Sequence, residues 1–294
     1  IVRCGSRELF YEAGPRHVEK LLREMDMVDC KPATSPGVKS VGGTGDAQAS
    51  GLNDEDEPRV VEAARMYRGS TARCNYLAAD RPEIAYSTKE LCRSMSAPTK
   101  KSELALKRLC RYLKGRLRLV QKIPFRTSMD RDLMVYVDSD WAGCRDTRKS
   151  TNGGAMVLSG AGLKTWSSTQ AVLALSSGEA EYYAALKGAS LALGMRSIAR
   201  DLGIELQIRL HTDSAAAKGI MLRRGLGKLR HIEVGYLWLQ DAVAEKRLTV
   251  HKCKGEDNPA DFGTKRLAGD VIQRHLGTLG YHLEDGRSTV VPAS

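Results

Sequence analysis

The stretch Leu133-Met-Val-Tyr-Val-Asp138-Ser-Asp140-Trp-Ala-Gly143 decides the fold of the second half of the chain. Residues 133–138 are an unbroken run of strand-forming side chains that closes on an acid and gives way to turn chemistry. Downstream, 155–158 and 163–167 read as two further short strands bounded by glycines. A long helix covers 178–202, a fourth strand 206–212 and a short helix 215–223. Another helix is predicted over 232–245, a fifth strand over 248–252, and a last helix beginning over 259–266. The order β-β-β-α-β-α-α-β-α suits an antiparallel meander followed by parallel additions. The class is therefore α/β, with a mixed five-stranded sheet flanked by helices. Beyond about His275 the pattern weakens, and the tail is expected to fray.

Upstream of this sheet the signals are helical. Val18, Leu21, Leu22 and Met25 recur at helical spacing within 16–27, and Pro32 ends that helix by disfavouring it in the residue before. From Ser35 to Pro58 the composition turns to Gly, Ser, Asp and Glu, which reads as an acidic linker. Three helices are expected near 59–78, 82–95 and 99–114, punctuated by Pro82 and Pro98. The third is basic. Lys107, Arg108, Arg111 and Lys114 are its candidate phosphate contacts, against a bland alternative of an ordinary solvated face.

The chain carries 46 Lys and Arg against 35 Asp and Glu, a net charge of +11, so a polyanion is the leading partner. Hydrophobic content of 42% and charged content of 28% fit a folded globular chain. No apolar run approaches the roughly 20 residues that span a bilayer, so no membrane role is expected. The 7 cysteines include no C-x-x-C pair, which supports neither a zinc knuckle nor a disulfide framework. Reduced thiols and the lack of a basic-then-apolar leader lead to an expectation of an intracellular, cytoplasmic or nuclear chain, not a secreted one. The opening at Ile1 gives the appearance of a piece of something longer.

Four acids sit where strands end or helices begin. Asp138 closes the first strand, Glu181 lies in the first turns of the long helix, Asp213 ends the fourth strand, and Asp261 opens the last helix. Carboxylates so placed can converge at one edge of a sheet. Crowded together they repel and take up protons. Hard divalent cations remove the conflict, and two of them about 4 Å apart can activate a water and stabilise the leaving oxygen of a phosphodiester. Taken singly, each acid is as easily a turn or cap residue.

Helix geometry separates Glu179 from Glu181, since two residues subtend about 200°. From Glu181, Ala184, Gly188, Leu191, Met195, Ile198 and Leu202 form an unbroken small-or-apolar stripe, so Glu181 is expected to face inward. Asp138 and Asp140 share a strand face. Asp138 is favoured because it still belongs to the strand, and Asp140 is either a supporting acid or a turn residue. Tyr136-Val-Asp-Ser-Asp140 mimics the Tyr-x-Asp-Asp turn of polymerase palms, but a residue separates its acids and no upstream palm acid accompanies it.

Several uncommon motifs then occur in order: Asp138-Ser-Asp-Trp-Ala-Gly143, Arg148-Lys-Ser-Thr151, Thr165-Trp-Ser-Ser168, Leu175-Ser-Ser-Gly-Glu-Ala-Glu-Tyr182, Arg230-His-Ile-Glu233 and Ala260-Asp-Phe-Gly-Thr-Lys265. Together they resemble the ribonuclease H region of copia-type retrotransposon Pol polyproteins. Upstream, Asp29-Cys-Lys-Pro-Ala-Thr-Ser-Pro36, Tyr67-Arg68, Tyr76-Leu-Ala-Ala-Asp-Arg-Pro-Glu-Ile84 and Arg108-Leu-Cys-Arg-Tyr-Leu-Lys-Gly115 resemble the end of the reverse transcriptase and its connection. Gly69-Ser-Thr-Ala-Arg-Cys-Asn75 is more polar than that family's usual stretch after Tyr-Arg.

The resemblance implies a ribonuclease H-like fold, with 1–34 as the end of the reverse transcriptase, 35–58 as linker and 59–126 as helical connection. Residues 130–267 would be the ribonuclease H domain and 268–294 a tail. It also implies that Asp138, Glu181, Asp213 and Asp261 bind two Mg²⁺ ions, with Mn²⁺ a possible substitute. The reaction implied is cleavage of the RNA strand of an RNA–DNA hybrid, leaving a 5′-phosphate and a 3′-hydroxyl. The implied partner is the rest of the Pol polyprotein with its polymerase palm, and the implied setting a virus-like particle. Cellular ribonuclease H enzymes carry a mobile-loop histidine before the last Asp. Here His251 falls within a predicted strand and His231 at a helix start, so neither joins the site. Arg148, Lys149 and the basic helix are the expected nucleic-acid contacts, with the 2′-hydroxyl marking the RNA strand.

Two rivals remain. A decayed copy could bind nucleic acid without turnover. An integrase-like nuclease needs its glutamate on a helix after the second Asp, yet Glu245, the nearest candidate, lies at its helix end.

Overall fold

A computed structural model describes residues 1–37, 59–125, 130–144, 146–227 and 230–286. Most of the expected acidic linker, and the last residues of the expected tail, lie outside them. The first part of the chain holds β1 (Val2–Cys4), β2 (Glu8–Glu12), α1 (Arg16–Glu24), α2 (Val61–Leu77), α3 (Ala85–Arg93), α4 (Lys100–Gly115) and β3 (Arg118–Pro124). There follow β4 (Asp132–Asp140), β5 (Thr151–Leu158), β6 (Ala161–Thr169), α5 (Ser177–Asp201), β7 (Gln207–Thr212), α6 (Ala215–Leu222), α7 (Trp238–Ala244), β8 (Thr249–Lys252), α8 (Gly269–Thr278) and β9 (Tyr281–Glu284). No helix among the described residues is long and apolar enough to cross a membrane.

The larger sheet runs β6-β5-β4-β7-β8, with antiparallel β4–β5 and β5–β6 ladders and parallel β4–β7 and β7–β8 ladders. This is the mixed α/β sheet of the ribonuclease H-like fold. Alternation along β4 explains its seat: Leu133, Val135 and Val137 are fully buried beneath α5, while Met134 and Tyr136 face the other layer. The helix comes close because its inward residues are small. Ala180, Ala184, Ala185, Ala189 and Ala192 are buried, and Gly188 lies so near Val137 and Val135 that a Cβ there would collide with Val137. Removing a core side chain such as Leu133 costs about 2–5 kcal/mol.

Several boundaries differ from the sequence expectation. The predicted helix at 82–95 is a 3-10 turn, Pro82–Ile84, followed by α3. The one predicted over 232–245 is a 3-10 turn, Val234–Leu237, followed by the short α7. The helix expected to open at 259 is a single 3-10 turn, Pro259–Gly263, and α8 begins only at Gly269. That turn presses flat onto β5. A Cβ on Gly153 would lie 2.5 Å from the Ala260 carbonyl oxygen, and Gly263 sits against Gly153 and Trp166 with as little room. Glycine is required on both sides for this approach.

A second sheet was not expected. β1, β2, β3 and β9 form a four-stranded antiparallel sheet from both ends of the chain and the segment after α4. The region before the ribonuclease H-like sheet is thus not only helical, and the chain stays ordered past His275, where fraying was expected, as far as Glu284. α8 continues to Thr278, Gly280 turns at φ +77°, and β9 pairs with β3. Leu119 of β3, Ala155 and Val157 of β5, Phe262, and Ile272, Leu276 and Leu279 around α8 share one buried cluster that joins the two sheets. The helices α1 to α4 keep a separate core around Leu21, Leu22, Tyr67, Leu106, Leu109 and Leu113.

Candidate metal centre

The parallel crossover from β4 to β7 brings their carboxyl ends to one rim, where α5 also starts. Asp138 lies near the end of β4 and is 5% exposed. Ser176 caps α5 by accepting from the Glu179 N–H, which places Glu181 in the first turns. Asp213 directly follows β7, held by the next residue, Ser214, whose side chain accepts from the Ala217 N–H to cap α6. One ligand oxygen from each of Asp138, Glu181 and Asp213 lies within 4.8 Å of the others.

Asp261 reaches the same rim from the 3-10 turn. Asn258, fully buried, starts that turn by accepting from the Ala260 N–H, and its Nδ2 donates to the Val137 carbonyl at 3.0 Å. The turn is thereby tied to β4 one residue before Asp138. Thr264 Oγ1 donates to Asp138 Oδ2. Lys265 Nζ stands 2.7 Å from Asp261 Oδ1 and 3.8 Å from Asp138 Oδ2. Asp261 is thus engaged with Lys265 rather than gathered into the group of three. Asn258, Thr264 and Lys265 carry no signal of these roles in the sequence, although the last two stand within Ala260-Asp-Phe-Gly-Thr-Lys265.

The electrostatics record the crowding. Burial, then the Asp138 and Asp213 charges, push the Glu181 carboxyl up to about 9. Burial and Asp138 raise Asp261 to about 7 despite Lys265, and the same two causes raise Asp213. Asp138 is the neighbour that acts on all three, so it sits at their centre. Glu181 Oε2 is buried without a hydrogen-bond partner. Convergent carboxylates with an unsatisfied buried oxygen suit a hard divalent cation, which prefers such ligands and repays their desolvation. An open cleft lined by Asp213, Lys252, Cys253, Lys254 and Gly255 adjoins the group.

Other acids fall elsewhere. Asp140 accepts from the Thr151 N–H across the β4–β5 turn, and burial raises its carboxyl to about 6. Glu179 is fully enclosed on the flank of α5 away from Glu181. There it accepts from the Leu175 N–H at 3.0 Å and meets His231 Nε2 at 2.9 Å. The inward stripe from Glu181 also gives out, since Ile198 and Leu202 are exposed. His251 lies on β8, stacked on His211.

The proposed nucleic-acid contacts are partly occupied within the chain. Lys107 pairs with Glu103 at 2.8 Å, Arg108 donates to Ser35 at 3.1 Å, and Arg111 Nε donates to the Lys31 carbonyl at 2.8 Å. Arg148 is exposed, while Lys114 and Lys149 are half-buried.

Sheet order, crossover helix and a rim of gathered carboxylates define a ribonuclease H-like α/β protein. No protein-family model matches the chain. It is 28% identical over 297 residues to the retrovirus-related Pol polyprotein from transposon TNT 1-94 of Nicotiana tabacum, covering 96% of this chain and 21% of that protein. It is 29% identical over 268 residues to the Pol polyprotein from transposon RE1 of Arabidopsis thaliana, covering 90% of this chain and 18% of that one. An uncharacterized mitochondrial protein of Arabidopsis thaliana, AtMg00810, is 31% identical over 188 residues, covering 63% of this chain and 72% of that protein. Over nine-tenths or more of its length the chain is thus similar to retrovirus-related Pol polyproteins of plant transposons. It spans about a fifth of the length of the polyproteins it matches.

Proposed function

We propose that residues 130–267 hydrolyse the RNA strand of RNA–DNA hybrids, as the ribonuclease H unit of a retrotransposon polyprotein whose polymerase lies outside this chain. The observation that carries this reading is the meeting of Asp138, Glu181 and Asp213, from three separate elements, within 4.8 Å. Two Mg²⁺ ions held there would lower the cost of generating a hydroxide nucleophile and neutralise the leaving oxygen of the phosphodiester.

The chain's own residues supply the rest. Asp138, Glu181, Asp213 and Asp261 would hold the ions, with Asp138 the carboxylate nearest to the other three. Thr264 and Asn258 fix Asp138 and the 3-10 turn relative to each other, so the four carboxylates keep their spacing. Lys252 and Lys254 beside Asp213 offer charges for the substrate backbone.

A labelled RNA–DNA hybrid with Mg²⁺ tests the reading. The wild type should cut the RNA strand, while Asp138→Asn and Asp213→Asn lose cleavage by about a hundredfold or more and keep most of their hybrid binding. A wild type that binds the hybrid and leaves the RNA whole would support the other reading, a nucleic-acid-binding fragment without turnover.

A further inference from the structure

Lys265 is a cation that touches two carboxylates of the acidic rim, and its position is specific. Its Nζ lies 2.7 Å from Asp261 and 3.8 Å from Asp138, bridging the fourth carboxylate to the central one. The side chain belongs to the residue four positions after Asp261, at the end of the same turn, so the ammonium reaches Asp261 without any movement of the backbone. It is also 45% exposed, so the head group can withdraw into water while its stem stays in place.

We propose that Lys265 is a tethered cation that competes with a metal ion for Asp261, making the two halves of the rim load in order. This rests on the metal centre proposed above. Asp138, Glu181 and Asp213 can take an ion with Lys265 in place, because the ammonium pairs with neither Glu181 nor Asp213 at salt-bridge distance. An ion shared by Asp138 and Asp261 requires oxygens about 2.0–2.1 Å from its centre. It cannot share that space with an ammonium seated between the same two carboxylates. The second ion therefore enters only as Lys265 leaves. The displaced ammonium remains on a four-carbon stem beside the rim, within reach of an arriving phosphate, where a lysine acts as a point charge.

Mn²⁺ binding to the full chain, without nucleic acid, tests this by counting free Mn²⁺ by electron paramagnetic resonance. Wild type should bind one ion well and a second weakly. Lys265→Met should leave the first ion unchanged and tighten the second about tenfold, whereas Lys265→Arg, which keeps the charge, should stay near wild type. Circular dichroism checks that both variants are folded. A second ion no tighter in Lys265→Met than in wild type, with the first retained, overturns the inference alone. Loss of the first ion in Asp213→Asn supports the metal centre itself, and a wild type that binds no Mn²⁺ at all overturns both.

Discussion

Buried charge is handled in opposite ways at the two ends of this molecule. In the four-stranded sheet, Arg118 on β3 is 8% exposed and Glu12 on β2 is 2% exposed. Arg118 Nε donates to Glu12 at 2.9 Å, its Nη2 meets Glu284 of β9 at 2.9 Å, and Arg3 of β1 adds a further contact to Glu12 at 3.2 Å. Nearby, Arg81 Nε donates to Glu83 at 2.7 Å in another enclosed pair. Each buried carboxylate there has its cation, and the pairs staple four distant strands together. At the rim of the larger sheet, Lys265 pairs with Asp261 and Asp138, while Glu181 and Asp213 have no ion pair among the described residues. The folded chain tolerates that imbalance only by holding protons or by binding cations, so the rim could hold a metal ion, while the small sheet's pairs serve stability.

The largest expected effect comes from unpairing the small sheet. Arg118→Ala leaves Glu12 and Glu284 without their shared cation, and should cost about 3–5 kcal/mol in urea unfolding. Next comes Gly153→Ala. Its Cβ would press into the Ala260 carbonyl and Thr264, costing about 1–3 kcal/mol and pushing the 3-10 turn off β5. Metal affinity should fall with stability in that variant, because Asp261 and Thr264 move with the turn; unchanged Mn²⁺ binding would separate the turn from the site.

Removing a charge at the rim should have the opposite sign. Glu181→Gln removes a carboxyl whose proton is held far more tightly folded than unfolded, and should raise the metal-free melting temperature by a few degrees at pH 8. The same shift sets a pH dependence. The Glu181 carboxyl rises from its ordinary 4.5 to about 9 in the folded chain. Between those values the folded state holds more protons than the unfolded one, so stability falls as pH rises through that window. Asp261 adds to the fall up to about 7. Thermal melts in chelator should show this decline and Mg²⁺ should flatten it; a metal-free chain whose stability climbs from pH 5 to 9 contradicts the crowding. The smallest effect is expected for His231→Ala, about 1 kcal/mol, since Glu179 keeps the Leu175 N–H.

How much of this could be read beforehand follows the same division. β4 and α5 announce themselves because their partners are apolar and their periods clean, and acids at strand and helix ends stand out against them. The small sheet stays hidden for two reasons. Its strands are brought together from opposite ends of the chain, and buried Arg118, Glu12 and Gln121 break the apolar alternation that marks a strand. The stripe running from Glu181 singled out the glutamate that meets Asp138 and Asp213, whereas the partners that enclose Glu179, the Leu175 N–H and His231, come from loops and leave no periodic signal. Asn258 and Lys265 act through contacts with β4, and no local pattern reports a partner 121 residues away.

The central claim is that the rim carboxylates are gathered to hold cations. Anomalous diffraction from crystals soaked in Mn²⁺ tests it most directly. A peak coordinated jointly by Asp138, Glu181 and Asp213, absent in Asp213→Asn, is the predicted result. Mn²⁺ bound only at scattered surface acids, with that rim empty, would contradict it.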